Sequence, residues 1–333
     1  MTRFLESPVM RCPTVADLPP PPPSKIGWPW TEASPPTPND APDGRTWPKI
    51  SIVTASFNDG EFIEETIRSV LLQGYPDLNY IIIDGGSKDN SVEIIRKYER
   101  WLSYWVSESD DGPVDATNKG LAVASGEVFG LMCADDYFAP GGLLKLVNLR
   151  FANPTSIAWV GACQVIDLNS AILDPGLPFV CDPKQIGNWG VGAWFVSVAC
   201  LFDAGCYRSI GGLDNRFRNG GDVDLWIRLS KKGSFSLTKE IVASARRRLD
   251  SWANGDRPLE LSSWIASNYI NGNYDVARAV LIRYGEEQIA QAATRLSVGN
   301  FARLKVRSVL AKAGRIANRL QRRAVDLIAT RSE

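Results

Sequence analysis

The chain has 333 residues, with 37 basic and 37 acidic side chains and 44% apolar residues. That apolar share builds a substantial core and excludes global disorder, while zero net charge excludes bulk nucleic-acid binding, which needs a basic excess to neutralise phosphates. Histidine is absent, which removes any Ser-His-Asp triad, imidazole proton shuttle or His-ligated zinc and leaves acid–base and metal chemistry mainly to carboxylates.

Thirteen of the 21 prolines precede Lys49, including the run Pro19 to Pro23. Residues 1–47 therefore read as a Pro-rich extension, extended in geometry and unable to form a core alone. It is either a docking arm for a partner or a strap over the domain surface anchored by Trp28 and Trp30. Glu6 and Asp17 among these prolines argue against a signal peptide. The six cysteines form no C-x-x-C pair and sit mostly among apolar residues, which predicts reduced, buried thiols in a soluble, cytoplasmic protein. The uncharged stretch Gln185 to Phe202 has too short an apolar part to span a bilayer and predicts a buried strand.

Regular structure is predicted from Lys49. Lys49–Thr54 reads as a β-branched strand, and Glu61–Gln73 as a helix with Phe62, Ile63, Ile67, Val70 and Leu71 on one side. Tyr80–Ile83 is a second strand and Ser91–Trp101 a helix. Trp105 and Val106 mark a short third strand, Asp115–Ala124 a helix, and Val128–Met132 a fourth strand. Strands alternating with helices predict an α/β, doubly wound, mostly parallel sheet, with ligands bound beyond the carboxyl ends of its strands.

Those ends carry Ala55-Ser56-Phe57-Asn58, Asp84-Gly85-Gly86-Ser87 and Ala134-Asp135-Asp136. A single Asp-Gly-Gly is an ordinary turn. Acids gathered at one rim repel unless a cation or a ligand's donors compensate them. Asp135 and Asp136, with no histidine nearby, suit Mg²⁺ or Mn²⁺ held by oxygen.

Residues from about Lys49 to Arg248 resemble the family 2 glycosyltransferases, inverting enzymes of the GT-A fold. The carrying segments are IVTASFNDGEFIEETIRSVLLQGYP (Ile52–Pro76), YIIIDGGSKDNSVEII (Tyr80–Ile95), SESDDGPVDATNKGLAVASGE (Ser107–Glu127), LMCADDYF (Leu131–Phe138) and GGLDNRFRNGGDVDLWIRL (Gly211–Leu229). The resemblance implies a Rossmann-like GT-A domain over residues 48–250 and a nucleotide-sugar donor, with UDP favoured. It further implies that Thr54, Ser56 and Asn58 line the nucleotide pocket, and that Asp84 recognises the base. Asp115, Asn118 and Lys119 would close over nucleotide and sugar. Asp135 and Asp136 would hold the metal, with Asp135 also near the donor, and Asp222 would be the catalytic base. Asp222 and Asp224 are two apart, so on a helix they cannot share a face.

The chain departs from the family at two places. Cys133 stands where many members begin their D-x-D, and Ala245-Arg246-Arg247-Arg248-Leu249 replaces a stretch that often carries histidine. Arg246, Arg247 or Arg248 either pairs with the diphosphate, as guanidinium does with phosphate, or belongs to a solvated basic strand end. Trp189 and Trp194, in the region expected to shape the acceptor side, either stack on a sugar or are core. Residues 251–333 read as a helical, basic region. Within 301–328, Val306, Leu310, Ala313, Ala317, Leu320, Ala324 and Leu327 recur at helical spacing among arginines. That helix either lies peripherally on the inner face of a membrane, suiting a lipid-linked or glycan acceptor, or packs on its own domain or a second subunit of a homodimer.

The leading expectation is a glycosyltransferase. The alternatives are a non-catalytic nucleotide-sugar or glycan-binding protein of the same fold, and a nucleotidyltransferase. The last would want a basic phosphate loop after the first strand, and Ala55–Asp59 has no basic residue.

Overall fold

A computed structural model describes residues 12–38, 40–41, 44–175, 196–215 and 221–247. Trp189, Trp194, Arg248 and the whole 251–333 region, with its 301–328 helix, lie outside the described residues.

The strands are β1 (Ile50–Ser56), β2 (Leu78–Asp84), β3 (Tyr104–Ser107), β4 (Val128–Cys133), β5 (Tyr137–Phe138), β6 (Ala158–Ile166), β7 (Ile172–Asp174), β8 (Cys200–Asp203) and β9 (Phe235–Arg246). The helices are α1 (Ile63–Leu71), α2 (Ser91–Tyr98), α3 (Pro113–Val123), α4 (Gly142–Ala152), α5 (Ala204–Ser209) and α6 (Gly221–Ser230). They build one sheet in the order β3-β2-β1-β4-β8-β6-β9-β5, with β7 paired to β6. The four strands β3, β2, β1 and β4 are mutually parallel. Beyond β4 the sheet is mixed: β8 runs antiparallel to both β4 and β6, β5 antiparallel to β9, and β6 parallel to β9. The alternating strand–helix pattern marks only the parallel half, because antiparallel partners need no crossover helix between them.

β1 and β2 are buried along nearly their whole length, as strands covered on both faces must be, which explains their unbroken β-branched runs. Ile50, Ile52, Tyr80 and Ile82 join a core with Ile63, Ile67, Val70 and Leu71 of α1 and Ile94 and Ile95 of α2. Each such aliphatic side chain contributes about 1.5–3 kcal/mol on full burial. The alternate residues Val53 and Ile83 meet α3, which approaches so closely that a methyl group at Gly120 would collide with Val53. α3 begins two residues earlier than its apolar pattern suggests, because Pro113 occupies the first helical position, where its missing N–H costs no hydrogen bond. α5 starts at Asp203, whose carboxylate accepts from Cys206 N at 2.7 Å.

The Pro-rich extension lies over the domain. Leu18, Ala41 and Trp47 belong to the main core. Trp28 Nε1 donates to the Phe138 carbonyl at 2.8 Å. Arg68 of α1, fully buried, donates to the carbonyls of Pro19, Pro29 and Trp30 and to Tyr98 Oη. A run whose described residues hold only one short 3-10 turn, Val15–Asp17, is thus held by side chains of the domain, with carbonyl dipoles solvating a buried guanidinium.

Candidate active site

The carboxyl ends of β1, β2 and β4 form the rim on which the site is built. At β4, Cys133 Sγ and one carboxylate oxygen each of Asp135 and Asp136 all lie within 4.8 Å of one another. Asp136 is buried, and its Oδ1 accepts from the main-chain N–H of Arg246 at 2.8 Å. Burial and the Asp135 charge push its carboxyl well above the usual range, against the pull of the Arg246 N–H and guanidinium. Cys133 is exposed, which corrects the expectation of a buried thiol at this position; Cys163 and Cys200 are buried, and Cys12 and Cys206 half-buried. Enough protein still surrounds the Cys133 sulfur that burial, followed by the charges of Asp136, Asp135, Asp222 and Asp59, drives the thiol well above its ordinary value. The same sulfur therefore feels acids from the turn after β4, from the loop after β1 and from α6. Two carboxylates at one point fit a hard divalent cation, and the protonated thiol beside them is a soft, weaker donor.

Asp222 and Asp224 open α6 and diverge, as their spacing requires. Asp224 Oδ2 accepts from Arg228 Nε at 2.7 Å, whereas Asp222 Oδ2 accepts from Ser197 Oγ at 2.7 Å. Ser197 in turn accepts from Trp226 Nε1 at 3.3 Å. Ser197 and Trp226 escape sequence reasoning because a serine 25 residues upstream of its partner leaves no periodic signal.

The second acidic group lies around the end of β2. Asp84 is fully buried: its Oδ2 accepts from Gly86 N, Ser87 N and Ser107 Oγ, and its Oδ1 from Ser87 Oγ. The residue expected to recognise a base thus organises its own turn. Asp110, a further acid of the Ser107–Glu127 segment, stands close by. A Cβ on Gly85 would come within 2.8 Å of its Oδ2, so only glycine leaves that carboxylate its place. Burial raises the Asp110 carboxyl, Gly112 N–H and Lys119 oppose this, and Asp115 and Asp84 add to it. Lys119 Nζ lies 3.2 Å from both Asp115 and Glu108.

Among the remaining candidates, Thr54 is buried with its hydroxyl 3.1 Å from Tyr80 Oη. Ser56 Oγ is buried and has no hydrogen-bond partner among the described residues. Asn58, in the left-handed region at φ 55°, cross-braces two loops: its N–H donates to Ser87 Oγ and its Oδ1 accepts from Lys88 N, both at 2.8 Å. Asn118 Nδ2 donates to Leu213 O at 2.9 Å, and its Oδ1 accepts from Tyr207 Oη at 2.8 Å, tying α3 to the segment that precedes α6.

Arg246 is buried, which corrects the expectation of a solvated basic strand end at this position. Its buried guanidinium donates to Glu65 Oε2 at 2.7 Å, to the carbonyls of Asp135, Asp167 and Leu168, and to Ser170 Oγ, and lies over the Phe62 ring. These bonds brace the loop that carries Asp135. The reason is burial: a guanidinium out of water needs its donors satisfied by the protein itself.

Residues 51–171 match the Glycosyl transferase family 2 profile. An uncharacterised glycosyltransferase of Mycobacterium tuberculosis is 32% identical over 185 residues, 54% of this chain and 68% of its own length. The chain belongs to glycosyl transferase family 2. A Bacillus subtilis family relative, named for teichuronic acid biosynthesis, is 29% identical over 117 residues, 34% of this chain and 46% of its own. S. aureus TarS in complex with UDP-GlcNAc superposes with a TM-score of 0.53 at 15% identity, over 66% of each chain, just under two thirds. The mannosyltransferase PcManGT of Pyrobaculum calidifontis, solved with GDP-Man and Mn²⁺, gives 0.53 at 18% identity over 84% of this chain and 83% of its own. These likenesses establish the GT-A fold for this family 2 glycosyltransferase. Among the described residues no helix is long and apolar enough to cross a membrane.

Proposed function

We propose that the protein transfers a sugar from a nucleotide-sugar donor, of the UDP class, to a hydroxyl of a glycan or lipid-linked acceptor with inversion at the sugar carbon. The observation that carries this reading is the cluster of Cys133, Asp135 and Asp136, whose ligand atoms lie within 4.8 Å of one another, with Asp59 and Asp222 near enough for their charges to act on the Cys133 thiol. The buried Ser56 hydroxyl at the end of β1 adds a polar atom for a ligand to satisfy. The UDP-GlcNAc and GDP-Man complexes of the structural neighbours support a nucleotide-sugar donor, and the former the UDP class.

In this reading Asp222 accepts the proton of the acceptor hydroxyl as its oxygen attacks the sugar carbon, opposite the departing nucleoside diphosphate. Asp135 and Asp136 would hold Mg²⁺ or Mn²⁺, with Cys133 beside them. The cation, when bound, supplies Lewis-acid stabilisation of the diphosphate's developing charge. Arg246 keeps the Asp135 loop in place, and Asn118 holds the approach to α6. The Bacillus subtilis relative's name and the basic 301–328 segment support glycan assembly at the inner membrane face as the setting.

A thermal-shift screen of UDP-, GDP- and dTDP-sugars with and without Mn²⁺ tests the donor, because a ligand that binds only the folded state raises its stability with occupancy. Stabilisation by a UDP-sugar that requires Mn²⁺, with slow UDP release lost in Asp222→Asn, is the expected result. Binding with no release in the native protein would instead make this a non-catalytic binding protein.

A further inference from the structure

Three groups line up behind the carboxylate of Asp222. Ser197 sits in a short turn, Ser197–Ala199, that leads into β8. Trp226 follows Asp222 by four positions on α6, which places both on one helix face. Its indole is fully buried, with its ring edge-on to Phe202 at 5.3 Å. The polarity of this chain follows from chemistry. An indole N–H only donates, an ionised carboxylate only accepts, and a serine hydroxyl has one proton. The Trp226 N–H therefore goes to Ser197 Oγ, and the Ser197 proton goes to Asp222 Oδ2, at 3.3 and 2.7 Å. No reversed arrangement satisfies both bonds while Asp222 is ionised.

We propose that Ser197, oriented by Trp226, is a positioning residue for the reaction: it fixes the Asp222 carboxylate so that the base meets the acceptor hydroxyl in one orientation. This rests on the reading of Asp222 as the base. Asp222 stands at the start of a helix, where its side chain has rotamers available toward the helix's own free N–H groups. A carboxylate that turned to cap the helix would be lost to the cleft. The Ser197 hydroxyl opposes that turn by holding Oδ2 from outside the helix. The indole in turn occupies a lone pair of Oγ and aims its proton at the carboxylate. Helix start and β8 entry are thereby registered against each other at the reacting group.

The test uses the full chain with Mn²⁺, measuring hydrolysis of UDP-glucose, UDP-N-acetylglucosamine and GDP-mannose and following the donor that turns over fastest. Ser197→Ala lowers kcat about tenfold or more, the scale of a lost hydrogen bond to a charged group, while KM for the donor stays within about twofold. Ser197→Thr, which keeps the hydroxyl, recovers most of the turnover. Trp226→Phe, which keeps the ring and loses only the N–H, falls between the two. Ser197→Ala placed on Asp222→Asn adds no further loss, since the serine acts only through the aspartate. A Ser197→Ala enzyme with native kcat, alongside an inactive Asp222→Asn, overturns the positioning role and leaves the base standing. Native turnover in Asp222→Asn removes the base and the positioning role together.

Discussion

The main-chain N–H of Arg246, the last residue of β9, donates to Asp136 Oδ1 at 2.8 Å, across 110 residues of sequence. The end of one strand thus fixes a carboxylate at the end of another, and the Arg246 side chain completes the brace through Glu65, with side-chain exposures of 1% and 11% for the pair. Arg246→Ala is expected to destabilise the fold by about 3–5 kcal/mol, the cost of leaving one buried partner uncompensated. Chemical denaturation measures it. Unchanged stability with lost donor binding would return Arg246 to the diphosphate.

Asp135 and Asp136 repel each other when no cation is bound. Asp135→Asn is therefore expected to raise the melting temperature of the metal-free protein while abolishing the stabilisation that Mn²⁺ gives the native chain. Cys133→Ser, which removes the soft donor and leaves both carboxylates, should keep the Mn²⁺ response. Thermal melts with Mn²⁺ and with EDTA decide both, and a Mn²⁺ response surviving in Asp135→Asn would move the cation elsewhere.

Arg68 holds the extension through three carbonyls. Arg68→Ala leaves those acceptors without their donor at about 1–3 kcal/mol for each buried group left unsatisfied. The expected signature is a lower denaturation midpoint together with faster proteolytic cleavage before residue 48. Native cleavage rates would show that the extension is held by its tryptophans alone.

Asp89 links two loops of the rim. Burial pushes its carboxyl up, but Ser91 Oγ, Gly60 N and Ser91 N outweigh this and hold it below the usual range. A carboxyl depressed in the folded state stabilises above its unfolded value, about 3.9, and that contribution is lost as pH falls through the folded value. Asp89→Asn should be less stable than native at neutral pH, with the gap closing as the pH drops below about 4. A gap independent of pH would assign the loss to geometry rather than charge.

The β1–α1–β2–α2–β3–α3–β4 run was legible because it repeats a local code: buried β-branched runs, then apolar residues at helical spacing. The mixed half was not. The end of β8 was visible only as part of a long apolar stretch, and β9 alternates little: Thr238, Lys239 and Glu240 interrupt it. Asp222 was found through its family segment, whereas Ser197 carries no signal of its own, being an ordinary serine in an apolar stretch.

The amino-acid order alone determined the helix and strand alternation, the acidic strand ends and the reliance on carboxylates, because these depend on neighbours within a few positions and on which residue types are absent. Tertiary structure decided which acids meet, that Asp84 turns inward, that Arg246 is bracing, and that a proline-rich run becomes part of the core. Several of those outcomes turn on partners far apart in sequence, up to 181 positions for Arg246 and Glu65, and only the folded chain, through sheet order and the packing of the extension on α1, brings such groups within hydrogen-bonding distance.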